Sequence, residues 1–135
     1  MLEIRAFARK SLDRIFVLRR FKIENERCEM IDKARLEQKC SMWNIALTGD
    51  QLDQLDAFAR ILVDYNQKVN LTAITVPEGI EDKHFIDSLL FASQPEVAGK
   101  MVDVGAGAGF PGIVTKIYKP ELELTLMEPT GKRVE

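Results

Sequence analysis

One stretch constrains the fold of this chain more than any other: Met101-Val-Asp-Val-Gly-Ala-Gly-Ala-Gly-Phe-Pro-Gly112. A short apolar run ends at Val104 and is followed at once by alternating glycines, a pattern typical of a buried strand that enters a tight turn. Pro111 precedes the apolar segment 113–117 and marks the first turn of a helix. The sequence therefore predicts strand, glycine loop and helix, the opening of a nucleotide-binding βαβ unit.

The spacing of the glycines separates two classes of ligand. A dinucleotide-binding fold uses G-x-G-x-x-G, whose third glycine allows close packing of helix on strand. Phe110 occupies that third position here. The pattern is instead D-x-G-x-G-x-G, from Asp103 to Gly109, and it resembles the first motif of the S-adenosylmethionine (AdoMet)-dependent methyltransferases. This resemblance implies AdoMet as the cofactor, and a glycine loop suits it because backbone can come close to a ligand where a Cβ would clash.

A second predicted strand ends in an acid at a suitable distance from the loop. The segment before Glu128 alternates apolar and polar residues, which places Leu122, Leu124 and Leu126 on one face. Glu128 follows Gly105 by 23 positions. In an adjacent parallel strand it would be placed to accept hydrogen bonds from a ribose 2′,3′-diol. Taken by itself, Glu128 would be interpreted as an ordinary acid at a strand end. Its distance from the glycine loop favours the interpretation as a ribose contact.

Two helices are predicted in the first half of the chain. The first is short and covers residues 31–41. Thr48 and Gln51 then match a capping box before a long amphipathic run. Apolar residues at three- and four-residue steps predict its core-facing stripe: Leu52, Leu55, Phe58, Leu62, Tyr65 and Val69. Its predicted solvent-facing residues are Asp50, Asp53, Asp56, Arg60 and Asp64.

A third helix is predicted from Pro77 to about Ser93, and it holds the single histidine of the chain. His84 lies three residues before Asp87, so the two share a helix face. A metal site would need further ligands, and none is predicted. General-base catalysis by His84 stays open. We favour the interpretation that His84 and Asp87 form a buried polar pair, which fixes this helix against the strand that precedes the glycine loop.

The remaining sequence features concern compartment and chain organisation. No apolar run approaches the roughly 18 residues of a membrane span. Cys28 and Cys40 form no metal or redox motif, so we expect free thiols in a reducing compartment. Through Lys22 the chain carries seven basic and two acidic residues. This basic helical extension, residues 1–29, is either an RNA- or membrane-surface helix or, as we favour, a solvated extension.

We hypothesise that residues 1–29 lie outside the functional domain, because Met30 begins a stretch typical of a natural protein start. Residues 30–98 are then a helical cap, and residues 99–135 begin an AdoMet-binding domain. Two parallel strands do not form a stable sheet by themselves. We therefore expect the chain to be a fragment of a longer fold.

Four segments together resemble one family. They are Asn70-Leu-Thr-Ala-Ile74, His84-Phe-Ile-Asp-Ser-Leu89, the glycine stretch and Gly131-Lys-Arg133. In this order and spacing they closely resemble the bacterial glucose-inhibited division protein B family, the small-subunit ribosomal RNA (guanine-N7) methyltransferases. The resemblance implies an α/β, Rossmann-like methyltransferase fold, here with its first two strands only, and a helical N-terminal cap. It also implies a cytoplasmic enzyme that acts on 16S rRNA of the small ribosomal subunit; we expect a monomer without metal.

By position, the resemblance assigns AdoMet contacts to Gly105 and Phe110. Gly107 and Gly109 shape the same loop, and Asp103 is placed to reach the methionine end, directly or through water.

The resemblance places Glu128 at the ribose, where the family commonly has Asp. Lys132 and Arg133 are the best local candidates for a phosphate contact, because charge on the RNA backbone dominates affinity. A solvated helix start explains these two residues equally well.

No catalytic side chain is predicted, because guanine N7 carries a free lone pair and no proton. Catalysis would come from holding N7 in line with the methyl group. Two alternatives stay open: an AdoMet methyltransferase for a non-RNA substrate, and a truncated chain without activity.

Overall fold

A computed structural model describes residues 29–68 and 72–127 of the chain. In chain order its elements are α1 (Lys33–Ser41), α2 (Gly49–Asn66), α3 (77–92), β1 (Lys100–Val104), α4 (Gly112–Tyr118) and β2 (Glu123–Met127). Helix α3 begins at Pro77 and is π-helical over Ile80–Ile86. The predicted helices and strands are thus confirmed, and the basic extension lies outside the described residues apart from Glu29.

The predicted capping box begins α2. Thr48 Oγ1 accepts a hydrogen bond from Gln51 N at 3.2 Å, and Gln51 Oε1 accepts one from Thr48 N at 2.9 Å. The Gln51 Nε2 group also donates to Tyr118 O at 3.0 Å. One side chain therefore both stabilises the start of α2 and satisfies a carbonyl at the end of α4.

Apolar residues of the four helices form the core. Its members include Leu36, Leu55, Phe58, Leu62, Phe85, Leu89, Ile113 and Ile117. The predicted α2 stripe is confirmed for Leu52, Leu55, Phe58 and Leu62, which are buried. Tyr65 is half-buried and packs against the same core, whereas Val69 lies outside the described residues.

The prediction that Asp56 faces solvent is wrong. The residue is only 7% exposed, and its Oδ1 accepts hydrogen bonds from Met30 N at 2.7 Å and Ile31 N at 2.9 Å. Its Oδ2 pairs with Arg60 Nη2 at 3.2 Å. The segment before α1 lies across α2, so the carboxylate satisfies backbone groups that helix periodicity could not reveal.

A buried carboxylate joins α1 to α3. Glu81 is fully buried, and its oxygens accept from Arg35 Nε at 2.7 Å and Arg35 Nη2 at 2.8 Å. Asp32 N donates to the same carboxylate at 3.0 Å. This bidentate pair satisfies the buried charge and fixes the relative position of the two helices.

The two strands pair in parallel, with Lys100 opposite Glu123 and Val104 opposite Met127. Helix α4 connects them, so the unit is the expected β-loop-α-β opening of a Rossmann-like fold behind a helical N-terminal layer. Within the described residues, strand β1 is covered on one face only. Asp103 is buried, whereas Val102 and Val104 are 53% and 72% exposed, so the prediction of a buried strand holds for one face.

Candidate functional site

The glycine loop lies between the carboxyl end of β1 and the start of α4. Gly105, Gly107 and Gly109 have φ angles of +73°, +52° and +100°, which residues with a Cβ rarely adopt. Gly105 N donates to Met127 O at 2.7 Å, so the loop begins where both strands end. In open α/β sheets this edge is where ligands bind.

The glycines of this stretch have different tasks. A Cβ at Gly109 would collide with the side chain of Ile113, its Cγ1 atom lying 2.9 Å away. A Cβ at Gly112 would lie 2.6 Å from Asp103 Oδ2 and 2.7 Å from Leu126 Cδ2. Gly112 therefore allows α4 to pack closely against the sheet, and Gly109 allows the loop to pack closely against α4.

Gly105 is different, because a Cβ there would meet no atom of the described residues within 4 Å. In the part of the chain that the structure describes, a Cβ at Gly107 would have one atom within 4 Å, Gly105 O at 3.9 Å. Open space beside backbone with positive φ is the geometry that lets a ligand approach the main chain. The backbone at Gly105 and Gly107 is therefore compatible with a ligand, and the AdoMet contacts stay a prediction, whereas Gly109 serves packing.

Asp103 holds the far end of the loop. Its side chain lies under the start of α4, where Oδ2 accepts a hydrogen bond from Gly112 N at 2.9 Å, and the residue is 8% exposed. The structure thus assigns the aspartate of the D-x-G-x-G-x-G motif a structural contact. Its role at the methionine end of AdoMet stays a prediction.

Phe110 inserts its ring into the helical layer. The ring centroid lies 5.2 Å from that of Phe58 on α2 and 6.2 Å from that of Phe85 on α3. The imidazole of His84 stacks on it with a centroid distance of 4.3 Å and an interplanar angle of 9°. The loop and the helical layer therefore meet in one aromatic cluster.

His84 also contacts the segment that follows α2. Its Nε2 lies 3.1 Å from Thr72 Oγ1. Burial lowers the pKa of His84 below its ordinary value of 6.5, against the opposing effect of the Asp87 charge. The predicted buried pair of His84 and Asp87 is wrong, because Asp87 is exposed. Sequence reasoning missed the stack, since no periodicity relates His84 to Phe110.

Several predicted site residues lie outside the described part of the chain. These are Glu128, Lys132 and Arg133. Asn70, which begins the first of the four family segments, also lies outside the described residues. The described residues contain no group of three or more His, Cys, Asp or Glu placed to hold a metal ion. Within residues 29–68 and 72–127, no helix is long and apolar enough to cross a membrane. Cys40 is a buried free thiol, as expected, and Cys28 lies outside the described residues.

Comparison with known proteins identifies the family. The family model for rRNA small subunit methyltransferase G matches residues 51–135. Proteins named ribosomal RNA small subunit methyltransferase G from Moorella thermoacetica and Desulfitobacterium hafniense are 48% and 50% identical over 92 and 93 residues. These matches cover 67% and 68% of this chain and 38% of each relative.

A third relative with the same name, from Alkaliphilus metalliredigens, is 44% identical over 108 residues, which are 78% of this chain and 45% of that protein. The chain thus spans about two fifths of the length of these curated relatives. The matched region contains the glycine loop, Phe110 and His84. The chain belongs to the rRNA small subunit methyltransferase G family.

Proposed function

We propose that this chain carries the cofactor loop of an AdoMet-dependent methyltransferase that modifies N7 of a guanine in 16S rRNA. One observation carries the proposal: the open backbone at Gly105, where the carboxyl ends of β1 and β2 meet. Family membership supports the reaction, because the relatives are named as methyltransferases of small-subunit ribosomal RNA. The enzyme would act as a cytoplasmic monomer on the small ribosomal subunit.

The residues divide into those that contact the cofactor and those that hold the loop. Gly105 and Phe110 would contact AdoMet, with Gly107 and Gly109 setting the path of the backbone between them. Asp103 would fix the loop through Gly112 N and contribute at the methionine end.

Two further proposed contacts concern the ribose and the RNA. Glu128 follows β2, whose last residue is Met127, and would accept hydrogen bonds from the ribose. Lys132 and Arg133 would contact RNA phosphate.

The chemistry makes few demands on side chains. AdoMet supplies a methyl group already activated for displacement from a sulfonium. Guanine N7 attacks through a lone pair and releases no proton, so no general base is required. The protein's contribution is orientation, an effect worth up to about 7–11 kcal/mol in favourable cases. N7 lies on the Hoogsteen edge, so the target guanine would be unstacked or exposed.

Two glycine substitutions test the site against a matched control. Gly105 and Gly99 have φ angles of +73° and +71°, and within residues 29–68 and 72–127 a Cβ at either would meet nothing within 4 Å. Alanine at either position carries the same backbone penalty, about 1–2 kcal/mol. Only Gly105→Ala puts a methyl group where AdoMet is proposed to approach, because Gly99 lies before β1.

We expect Gly105→Ala to weaken AdoMet binding, measured by calorimetry, at least tenfold, and Gly99→Ala to change it less than twofold. Equal affinities for the two variants would contradict a cofactor contact at Gly105. Transfer of a tritiated methyl group to small ribosomal subunits, with ribosomal protein and free nucleosides as alternative acceptors, then tests the RNA substrate. Label in protein alone would contradict it.

A further inference from the structure

We propose that His84 is a positioning residue for the cofactor loop: it stacks on Phe110, is held by Thr72, and so keeps the loop in its AdoMet-binding geometry. The inference rests on the proposed function, since AdoMet is the ligand whose binding it would control.

The loop needs a side-chain anchor. From Gly105 to Gly109 the chain contains only glycine and alanine, and all three glycines have positive φ. Such a segment gains little from side-chain packing and has many alternative conformations in the unfolded state. Phe110 is the first large side chain after Val104, so its ring determines where the loop lies against the helical layer.

His84 completes the pocket of that ring. Phe58 and Phe85 are fully buried and contact Phe110 at tilted angles of 41° and 47°. His84 instead lies nearly parallel to the ring, at 9° and 4.3 Å. It is half-buried, whereas Phe58 and Phe85 belong to the core. The imidazole therefore covers one face of Phe110 near the protein surface.

A hydrogen bond to Thr72 restrains the imidazole, and Thr72 is itself held by backbone and side-chain contacts. Thr72 Oγ1 lies 3.1 Å from His84 Nε2 and accepts from Ile74 N at 3.1 Å. Thr72 N donates to Asn66 Oδ1 at 2.9 Å. A continuous set of contacts thus runs from the end of α2 through Thr72 and His84 to the loop. Histidine suits this position because one ring both stacks on an aromatic face and bonds a hydroxyl.

Substitutions at His84 separate stacking from hydrogen bonding. His84→Ala removes both and is expected to weaken AdoMet binding about three- to tenfold, the size of an aromatic pair contribution. His84→Phe keeps the stack, and we expect its affinity to remain within threefold of wild type. Lys83→Ala changes the exposed neighbour on the same helix and is expected to leave affinity unchanged. In methyl transfer, His84→Ala should raise the KM for AdoMet and leave kcat within twofold.

A spectroscopic readout covers the case in which His84→Ala does not fold. The chain has a single histidine, so its ring C–H resonances are assigned directly in a proton NMR spectrum. Stacking predicts an upfield ring-current shift of the two His84 ring C–H resonances, which Phe110→Leu should remove. During an AdoMet titration both resonances should shift along a binding curve that gives the same Kd as calorimetry. Resonances that stay unchanged to saturation, or equal affinity in a folded His84→Ala variant, would overturn this inference alone. A wild-type chain that does not bind AdoMet would overturn the proposed function and this inference with it.

Discussion

Replacement of Asp56 tests how the segment before α1 is held on α2. The carboxylate accepts from Met30 N and Ile31 N at 2.7 and 2.9 Å. Ile31 is 2% exposed and belongs to the core, so both its N–H group and its side chain depend on this anchor. Asp56→Ala removes the acceptor without adding a group that could replace it.

Two outcomes are structurally possible for Asp56→Ala, and both have similar costs. If the segment stays in place, a buried N–H group loses its acceptor, which costs about 1–3 kcal/mol. If the segment detaches, the burial of Ile31 is lost, which costs about 1.5–3 kcal/mol. We therefore expect the free energy of unfolding to fall by about 2–3 kcal/mol. Asp56→Asn keeps an oxygen for the two N–H groups and loses the Arg60 ion pair, a cost of about 1 kcal/mol.

Urea denaturation followed by far-UV circular dichroism measures these differences, provided that the m-value stays constant. Asp64→Ala is the matched control, because Asp64 is an exposed aspartate on the same helix and its loss should change stability by less than about 0.5 kcal/mol. The reasoning fails if Asp56→Ala costs no more than Asp64→Ala. A cost for Asp56→Asn equal to that for Asp56→Ala would show that the charge, not the acceptor oxygen, carries the contribution.

Three further predictions follow from the loop, the histidine and the buried thiol. Gly112→Ala places a Cβ 2.6 Å from Asp103 Oδ2 and should lower stability by about 1–3 kcal/mol in thermal unfolding; a loss below about 0.5 kcal/mol would show that α4 moves away freely. The pKa of His84 lies below its unfolded value of 6.5, so the unfolded state binds the proton more readily and the His84 contribution to stability is lost as pH falls below that value. Wild type should therefore lose stability relative to His84→Phe between pH 7.5 and 5.5 (about one unit on either side of the unfolded pKa), and a pH-independent difference would contradict this. Burial raises the pKa of Cys40 to about 11, with a smaller contribution from Glu37, and Cys40 is 1% exposed. In a Cys28→Ser background its reaction with a disulfide reagent at pH 8 should be slow in the native state and fast in urea; rapid native labelling would show that Cys40 is accessible.

The order of the elements was predictable from sequence because its signals are local. The capping box of Thr48 and Gln51 uses groups three residues apart, and the α2 stripe repeats within one helix. The signal for the glycine loop is equally local. Only glycine adopts positive φ readily, so the D-x-G-x-G-x-G pattern indicates a turn without any information on tertiary contacts. Sequence alone therefore determined the helices, both strands and the place where the glycine loop begins.

Tertiary structure alone decided which polar residues are buried and which glycine is open. Asp56 was predicted to face solvent, yet it caps backbone groups 25 and 26 residues away. Glu81 pairs with Arg35 across 46 residues. The stack of His84 on Phe110 depends in the same way on how α3 packs against the loop. Periodicity describes one element at a time, and a contact between two elements depends on how they pack together. The burial of a charge and the assembly of the aromatic cluster therefore became visible only in the folded chain.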